Sequence, residues 1–251
     1  TALSLNNLAV LYIQVGEYKK ALPLLQHALA IYAKTLGLEH HIIALNLGNL
    51  AVSYEKMGKY EEALPLYQHA LAIYEKLDFE NPNTATSLIN LAHLYAKMGK
   101  YEVALPLLQR ALAIHEKTLN FNHQGKVNNF SALSFLHLLK KMPKEALAWR
   151  RRSLEIEETI LERLLKTPQT SEKQKRSFLN TLKDSTNLTI SLHQQELSGD
   201  AEAQKLALQT LLQRKGRLLD AQAQTQRSIR RLTDPAAIEI LDAWQKKLSE
   251  I

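Results

Sequence analysis

The 251-residue chain contains no cysteine, only eight glycines and seven prolines, and 6% aromatic residues. The lack of cysteine excludes a disulfide framework, a thiolate metal site and a cysteine nucleophile within these residues. Gly and Pro together are about half as frequent as in an average protein. That is too few turn residues for a β-sandwich, a barrel or a doubly wound sheet. We therefore expect an all-α chain.

No apolar run approaches the ~20 residues that a membrane-spanning helix needs, and no signal-peptide pattern opens the chain. We expect a cytoplasmic protein without membrane contact, and because Thr1 is not an initiator Met, a mature product or an excised piece. Residues 1–124 carry equal numbers of acidic and basic side chains, so the whole net charge of +7 lies in residues 125–251. This excess indicates either an acidic or nucleic-acid partner or simply solvated helix faces.

An internal repeat occupies the first half of the chain. Three similar segments start at Asn6, Gly48 and Ile89, so they recur with a period of about 42 residues. They read NNLAVLYIQVGEYKKALPLLQHALAIY, GNLAVSYEKMGKYEEALPLYQHALAIY and INLAHLYAKMGKYEVALPLLQRALAIH. A weaker fourth copy begins at Ala132, one period after Asn90. A period of this length indicates stacked copies of one supersecondary unit.

Each copy is predicted to form two helices. Apolar residues of the first helix recur at i, i+3, i+4 and i+7, as in Leu5, Leu8, Ala9 and Tyr12. A glycine follows where this helix must end and turn back. A proline falls early in the second helix, where we expect its missing N–H to cost no intrahelical bond. The turn glycines are Gly16, Gly58 and Gly99, and the prolines are Pro23, Pro65 and Pro106.

This pattern of small residue, Tyr, Gly, Ala, large apolar residue and Ala resembles the tetratricopeptide repeat (TPR). The period of about 42 residues, the ALPL…ALAI helix and the spacer ending in Asn81-Pro82 resemble the kinesin-light-chain type of that repeat. The resemblance implies a right-handed superhelix of about four helix pairs, with the first helix of each pair lining a concave groove. The expected repeats span about 1–40, 41–82, 83–124 and 125–165. The fourth departs from the pattern, with Lys141 in place of Gly and Ser153 in place of a core Ala.

The second half, residues 166–251, loses the period, and long helices are predicted there over about 172–195, 201–232 and 235–250. The strings ISLHQQ at 190–195 and LALQTLLQRKGRLLDA at 206–221 resemble the segment that joins TPR repeats to a CHAT domain in bacterial proteins. CHAT domains are caspase-like cysteine-peptidase domains. The resemblance implies that this chain is the sensor or scaffold part of such a protein, without the catalytic domain.

No catalytic constellation is present in the sequence. The HExxH, GxSxG, Walker lysine-loop and GxGxxG motifs are all missing. Nine histidines are scattered, and the one adjacent pair, His40-His41, is expected to have diverging side chains. We therefore expect no enzyme, no metal and no cofactor within these residues.

A row on the first helix of each pair is the candidate binding surface. Asparagines recur at equivalent positions and share a helix face with the residues one and two turns later. One turn later come Val10-Leu11, Val52-Ser53 and His93-Leu94, and two turns later come Gln14, Lys56 and Lys97. An amide column can donate to and accept from an extended peptide backbone, and lysines add charge for a carboxylate. The alternative is that the asparagines bridge neighbouring helices and the lysines are merely solvated. The predicted groove residues are Asn7, Gln14, Asn49, Lys56, Asn90, His93 and Lys97.

Basic clusters give a second candidate surface. Arg227, Arg230 and Arg231 share one face of a predicted helix and are a candidate docking face for an acidic partner or the CHAT domain. The clusters at 150–152 and 214–217 are expected to be exposed in the same way. Few aromatic residues interleave with these arginines, so nucleic-acid binding is the weaker alternative. The predicted function is protein–protein recognition by a scaffold or sensor module, and the alternative is a stand-alone adaptor of the kinesin-light-chain type.

Overall fold

A computed structural model of the chain describes residues 1–118, 123–166, 182, 185–187, 189–190, 194, 196–197 and 199–210. These residues form helices and turns, with no strand among them. The chain divides into two compact units, Thr1–Ile160 and Leu161–Ile251. The boundary falls shortly before the predicted end of the repeat array at residue 165.

The predicted helix pairs are confirmed in the described residues. In chain order the helices are α1 (Ala2–Gln14), α2 (Tyr18–Leu36), α3 (His41–Lys56), α4 (Tyr60–Leu77), α5 (Pro82–Lys97), α6 (Tyr101–Thr118), α7 (Gln124–Leu139) and α8 (Pro143–Lys166). Each odd-numbered helix packs against the even-numbered helix that follows it, and α2, α4 and α6 also pack against the next odd-numbered helix. This order of contacts is that of the stacked helix pairs of a TPR superhelix.

The turns inside the four pairs share one backbone conformation, with a positive φ at the same repeat position. Gly16, Gly58 and Gly99 adopt φ angles of 80°, 75° and 75°. In the first turn, the Glu17 N–H donates to the Tyr12 carbonyl at 2.8 Å, a bond of the kind that closes a helix C-terminus. The fourth turn keeps this geometry without glycine, because Lys141 adopts a φ of 58°. A lysine in the left-handed region costs about 1 kcal/mol more than glycine.

The prolines lie further into the second helices than the sequence analysis expected. Pro23 is the sixth residue of α2 and Pro65 the sixth of α4. Only the first four N–H groups of a helix lack an intrahelical partner, so the expectation that these prolines cost no bond is wrong. Each proline removes one bond to the carbonyl four residues earlier. The helices continue because their apolar faces are packed on both sides.

Small residues and caps set how the helices approach one another. Ala9, Ala51 and Ala92 are completely buried, which lets neighbouring helices pack closely. Two of the loop histidines act as helix caps: His40 Nδ1 accepts from the Ile42 N–H at 3.2 Å, and His123 Nδ1 accepts from the Gly125 N–H at 3.0 Å. Both histidines therefore cap helices, a role that the sequence did not reveal. The expectation that the His40 and His41 side chains diverge is wrong, because their ring centroids lie 4.3 Å apart.

Of the second unit, the described residues include a helical stretch over 201–210. It begins where the sequence predicted, and the Asp200 carboxylate caps it by accepting from the Ala203 N–H at 3.0 Å. The predicted helix over 235–250 lies outside the described residues.

Candidate functional site

The first helices of the two middle pairs each leave one row of side chains open. In α3 and α5, residues on both flanks of this row are buried against the adjacent helices. The row itself stays exposed or half-buried, and we call it the open row. The open row consists of Leu45, Asn49, Val52 and Lys56 in α3, with Thr86, Asn90, His93 and Lys97 in α5. In α1 the equivalent positions include the predicted Asn7 and Gln14, both exposed.

The asparagines of the open row are not equivalent. Asn49 Nδ2 donates to Asn6 Oδ1 at 3.4 Å, and Asn46 Nδ2 donates to the same oxygen at 3.3 Å. These bonds join α1 to α3, so Asn49 bridges neighbouring helices. Asn90 makes no side-chain hydrogen bond to any residue that the structure describes, and neither does Asn7. Their amides are available to a ligand.

The buried carboxylate of Glu55 contacts the last two residues of the open row in α5, His93 and Lys97. The Glu55 side chain is 5% exposed and receives three contacts, one from α4 and two from α5. Tyr67 Oη donates to Oε2 at 2.8 Å, Lys97 Nζ donates to Oε1 at 2.8 Å, and His93 Nδ1 lies 3.2 Å from Oε1. His93 also packs against Phe135 of α7, with ring centroids 5.3 Å apart. Two predicted groove residues, His93 and Lys97, are thus fixed by a residue that the sequence analysis did not select.

The electrostatics of this cluster favour a charged Glu55. Burial alone would raise the pKa of its carboxyl, but the bonds from His93, Lys97 and Tyr67 outweigh burial and lower the pKa to about 2. Burial and the adjacent carboxylate raise the pKa of the Tyr67 phenol, so Tyr67 remains a neutral donor. The Lys97 charge is compensated inside the protein. Lys56 is exposed and has no ion-pair partner within the described ranges, so its charge is open to a ligand.

A signal for Glu55 was present in the repeat alignment. The equivalent positions in the other copies hold Ile13, Ala96 and Leu138. Its partner Tyr67 stands where the first and third copies have leucine. Two departures from an apolar pattern within one copy indicate a buried polar pair, although periodicity alone does not show that they touch.

The fourth pair contains a second buried ion pair. Arg150 was expected to be exposed with its neighbouring arginines, and that prediction is wrong: its side chain is 1% exposed, with Nη2 3.6 Å from Glu157 Oε1. Its Nη1 also lies 3.3 Å from Ser131 Oγ and 3.4 Å from Ser153 Oγ. The replacement of a core alanine by Ser153 therefore supplies a polar partner to this arginine. Arg151 and Arg152 are exposed, as predicted.

The second predicted surface, formed by Arg227, Arg230 and Arg231, lies outside the described residues. In the part of the chain that the structure describes, no group of three His, Asp or Glu side chains is arranged to hold a metal ion. Among the same residues, no helix has the length and apolarity needed to cross a membrane.

The stacked pairs and the open row define a helical-repeat protein with a candidate binding surface. The tetratricopeptide repeat family profile matches residues 1–76 and 83–159. The chain therefore belongs to the tetratricopeptide repeat family, whose repeats serve as scaffolds for protein–protein interaction.

Solved structures show the same architecture. Two crystal structures of nearly identical TPR-like repeats of a putative kinesin light chain from Podosopora anserina are similar to this chain, and one of them carries a single substitution. Each is 27% identical with a TM-score of 0.54; the matches cover 89% of this chain and 95% or 96% of those chains. BtubC (BKLC) from P. vanneervenii has a TM-score of 0.58 at 19% identity, covering 92% of this chain and 81% of its own, and shows the fold alone. A search of curated proteins gives no significant match.

Proposed function

We propose that the open row binds an extended peptide segment of a partner protein. The observation that carries this proposal is that consecutive first helices leave the same row exposed while burying both flanks. Asn90 and Lys56 are an amide and an ammonium group without protein partners in the described part of the chain. An amide can pair with both groups of a peptide backbone, and a lysine can pair with a carboxylate. The family's general role in protein interaction supports the same conclusion.

The predicted groove residues have different roles in this proposal. Asn7, Gln14 and Asn90 contact the peptide backbone, and Lys56 contacts an acidic group of the peptide. His93 and Lys97 present a fixed polar surface, because Glu55 has already restricted their rotamers and less conformational entropy is lost on binding. Asn49 already donates a hydrogen bond to Asn6, so replacing Asn49 is expected to affect stability as well as binding.

The experiment begins with selection of binders from a random-peptide display library on the full chain. Asn90→Ala and Lys56→Ala should each weaken the selected peptides about fivefold or more, since one hydrogen bond contributes about 1 kcal/mol. Both should leave the melting temperature within about 2 °C of the wild-type value. The matched control is Gln109→Ala on the exposed face of α6, which should leave binding unchanged. Equal losses in all three variants, or none in the first two, would contradict the proposal.

The wider role rests on the resemblance of residues 150–251 to the segment before a CHAT domain. We propose that this chain is the regulatory part of a cytoplasmic CHAT-type bacterial protein, with Arg227, Arg230 and Arg231 docking to that domain. The alternative remains a stand-alone adaptor of the kinesin-light-chain type. The coding sequence beyond Ile251 separates them: a domain bearing His and Cys supports the first, and a stop codon supports the second.

Nucleic-acid binding by the basic second half is the remaining, weaker alternative. It predicts an affinity that falls steeply with salt, because phosphate contacts release counterions. A gel-shift titration of the full chain at low salt tests this alternative, and undetectable binding there removes it.

A further inference from the structure

The outer face of α1 exposes large apolar side chains in a regular row. Leu8 is 43% exposed, Leu11 58% and Val15 72%. Their spacing of three and four residues places them on one face of the helix, next to the row that holds Asn7 and Gln14. No Asp, Glu, Lys, Arg or His occurs between Thr1 and Gly16. An uncharged apolar helix face of this kind is typical of a packing surface.

Two of these three positions are buried in every other copy of the repeat, while the equivalents of Val15 are half-buried. The equivalents of Leu8 are at most 4% exposed, and the equivalents of Leu11 are completely buried. The first set is Leu50, Leu91 and Leu133, and the second set is Ser53, Leu94 and Leu136. Leu50, for example, lies in one apolar cluster with Leu22, Leu24 and Leu29 of α2. The second helix of the preceding pair supplies this cover: α2 for Leu50, and α4 for Leu91 and Leu94. In the fourth copy, α7 packs against α6 in the same order.

We infer that the outer face of α1 is a docking surface for a further helix pair of this repeat type. The second helix of that pair would lie against α1 as α2 lies against α3. The occupant carries the ALPL…ALAI pattern of α2 and α4, because those helices form the surface against which Leu50 and Leu91 are buried. The inference extends an interface that the chain already uses between its pairs, and it does not depend on peptide binding in the open row.

The test extends the full chain at its amino end with a second copy of residues 1–42. In this register the residue before Thr1 is the copy of Ile42, so Thr1 takes the place that Ile43 has after α2. Hydrogen exchange of the original α1 amides should slow about tenfold or more, because α1 gains a packed neighbour. Circular dichroism should show added helix, and the extended chain should remain monomeric.

Leu11→Lys in the original α1 provides the matched control. In the unextended chain this substitution at an exposed position should leave stability unchanged within about 1 °C in melting temperature. In the extended chain it should abolish the slowed exchange, because the lysine charge would be buried without a partner. Unchanged α1 exchange on extension, an extension that forms no helix, or equal effects of Leu11→Lys in both chains would overturn the inference. Self-association of the unextended chain that Leu11→Lys removes would also overturn it, because the occupant would then be a second copy through α1 itself.

Discussion

The buried Glu55 carboxylate makes the stability of the repeat array depend on pH. Its pKa is about 2 in the folded protein, against 4.5 when it is unperturbed. Between these values the unfolded chain binds more protons than the folded chain, so acid favours unfolding. This difference between the two pKa values corresponds to about 3 kcal/mol. The contribution is fully present above pH 4.5 and is lost as the pH falls towards 2.

Glu55→Gln isolates this effect because glutamine has the same shape without the charge. Urea unfolding followed by circular dichroism at pH values from 7 to 2.5 gives the free energy of unfolding of each protein. The difference between the wild type and Glu55→Gln should shrink by about 2.5 kcal/mol from pH 7 to pH 2.5, because the folded-state carboxyl is still mostly ionised at the lower pH. The control Glu62→Gln removes an exposed carboxylate near Lys59 and should leave the pH dependence intact. The same pH dependence in the wild type and in Glu55→Gln would refute the reasoning.

A double substitution tests whether the buried pair of Glu55 and Tyr67 is needed for folding. Glu55→Ile with Tyr67→Leu installs the residues that the first copy has at these positions, Ile13 and Leu25. The change removes the buried carboxylate and the phenol, while Lys97, 25% exposed, remains in contact with solvent. Replacing a buried polar pair by packed apolar residues is often neutral or stabilising. We expect stability at pH 7 within about 1.5 kcal/mol of the wild type, and no Glu55-linked loss in acid. A loss as large as that of Glu55→Gln alone would show that the site cannot be repacked.

Three further predictions use urea unfolding at pH 7. Gly48→Ala should stabilise the protein by about 0.5–1 kcal/mol, because Gly48 is inside α3 and a Cβ there meets nothing within 4 Å. Gly58→Ala should instead destabilise the protein by about 1 kcal/mol, since the φ of 75° is unfavourable for a residue with a Cβ. Equal effects of Gly48→Ala and Gly58→Ala would contradict this reasoning. Glu157→Leu should lower the free energy of unfolding by about 3–5 kcal/mol, because it removes the carboxylate that compensates the buried Arg150. Adding Arg150→Leu should recover most of this loss. Losses that simply add in the double variant would contradict the pairing.

The candidate site was only partly predictable from sequence. Asn49 and Asn90 occupy the same repeat position, yet one bridges α1 and α3 while the other is free among the described residues. The difference depends on Asn6, whose equivalents in the second and third copies are glycine and isoleucine. Lys56 and Lys97 also occupy the same repeat position, yet Lys97 pairs with Glu55 whereas Lys56 has no ion-pair partner among the described residues. Periodicity assigns residues to a face, whereas partners come from the adjacent helix.

Composition and periodicity are enough to predict the helix pairs, their turns and their stacking order. A regular period with alanines at contact positions and glycines at turns permits few other arrangements, since each pair must bury its apolar face against the next. Which charged side chains are buried depends instead on how the helices pack in three dimensions. Arg150 looks like a surface residue in the sequence, and the repeat alignment marks Glu55 as unusual without showing its partners. Both are buried because a nearby side chain of opposite charge compensates each of them. This compensation depends on the distance between two side chains. Glu55 and Lys97 belong to different helix pairs, and the local sequence pattern does not specify the distance between them.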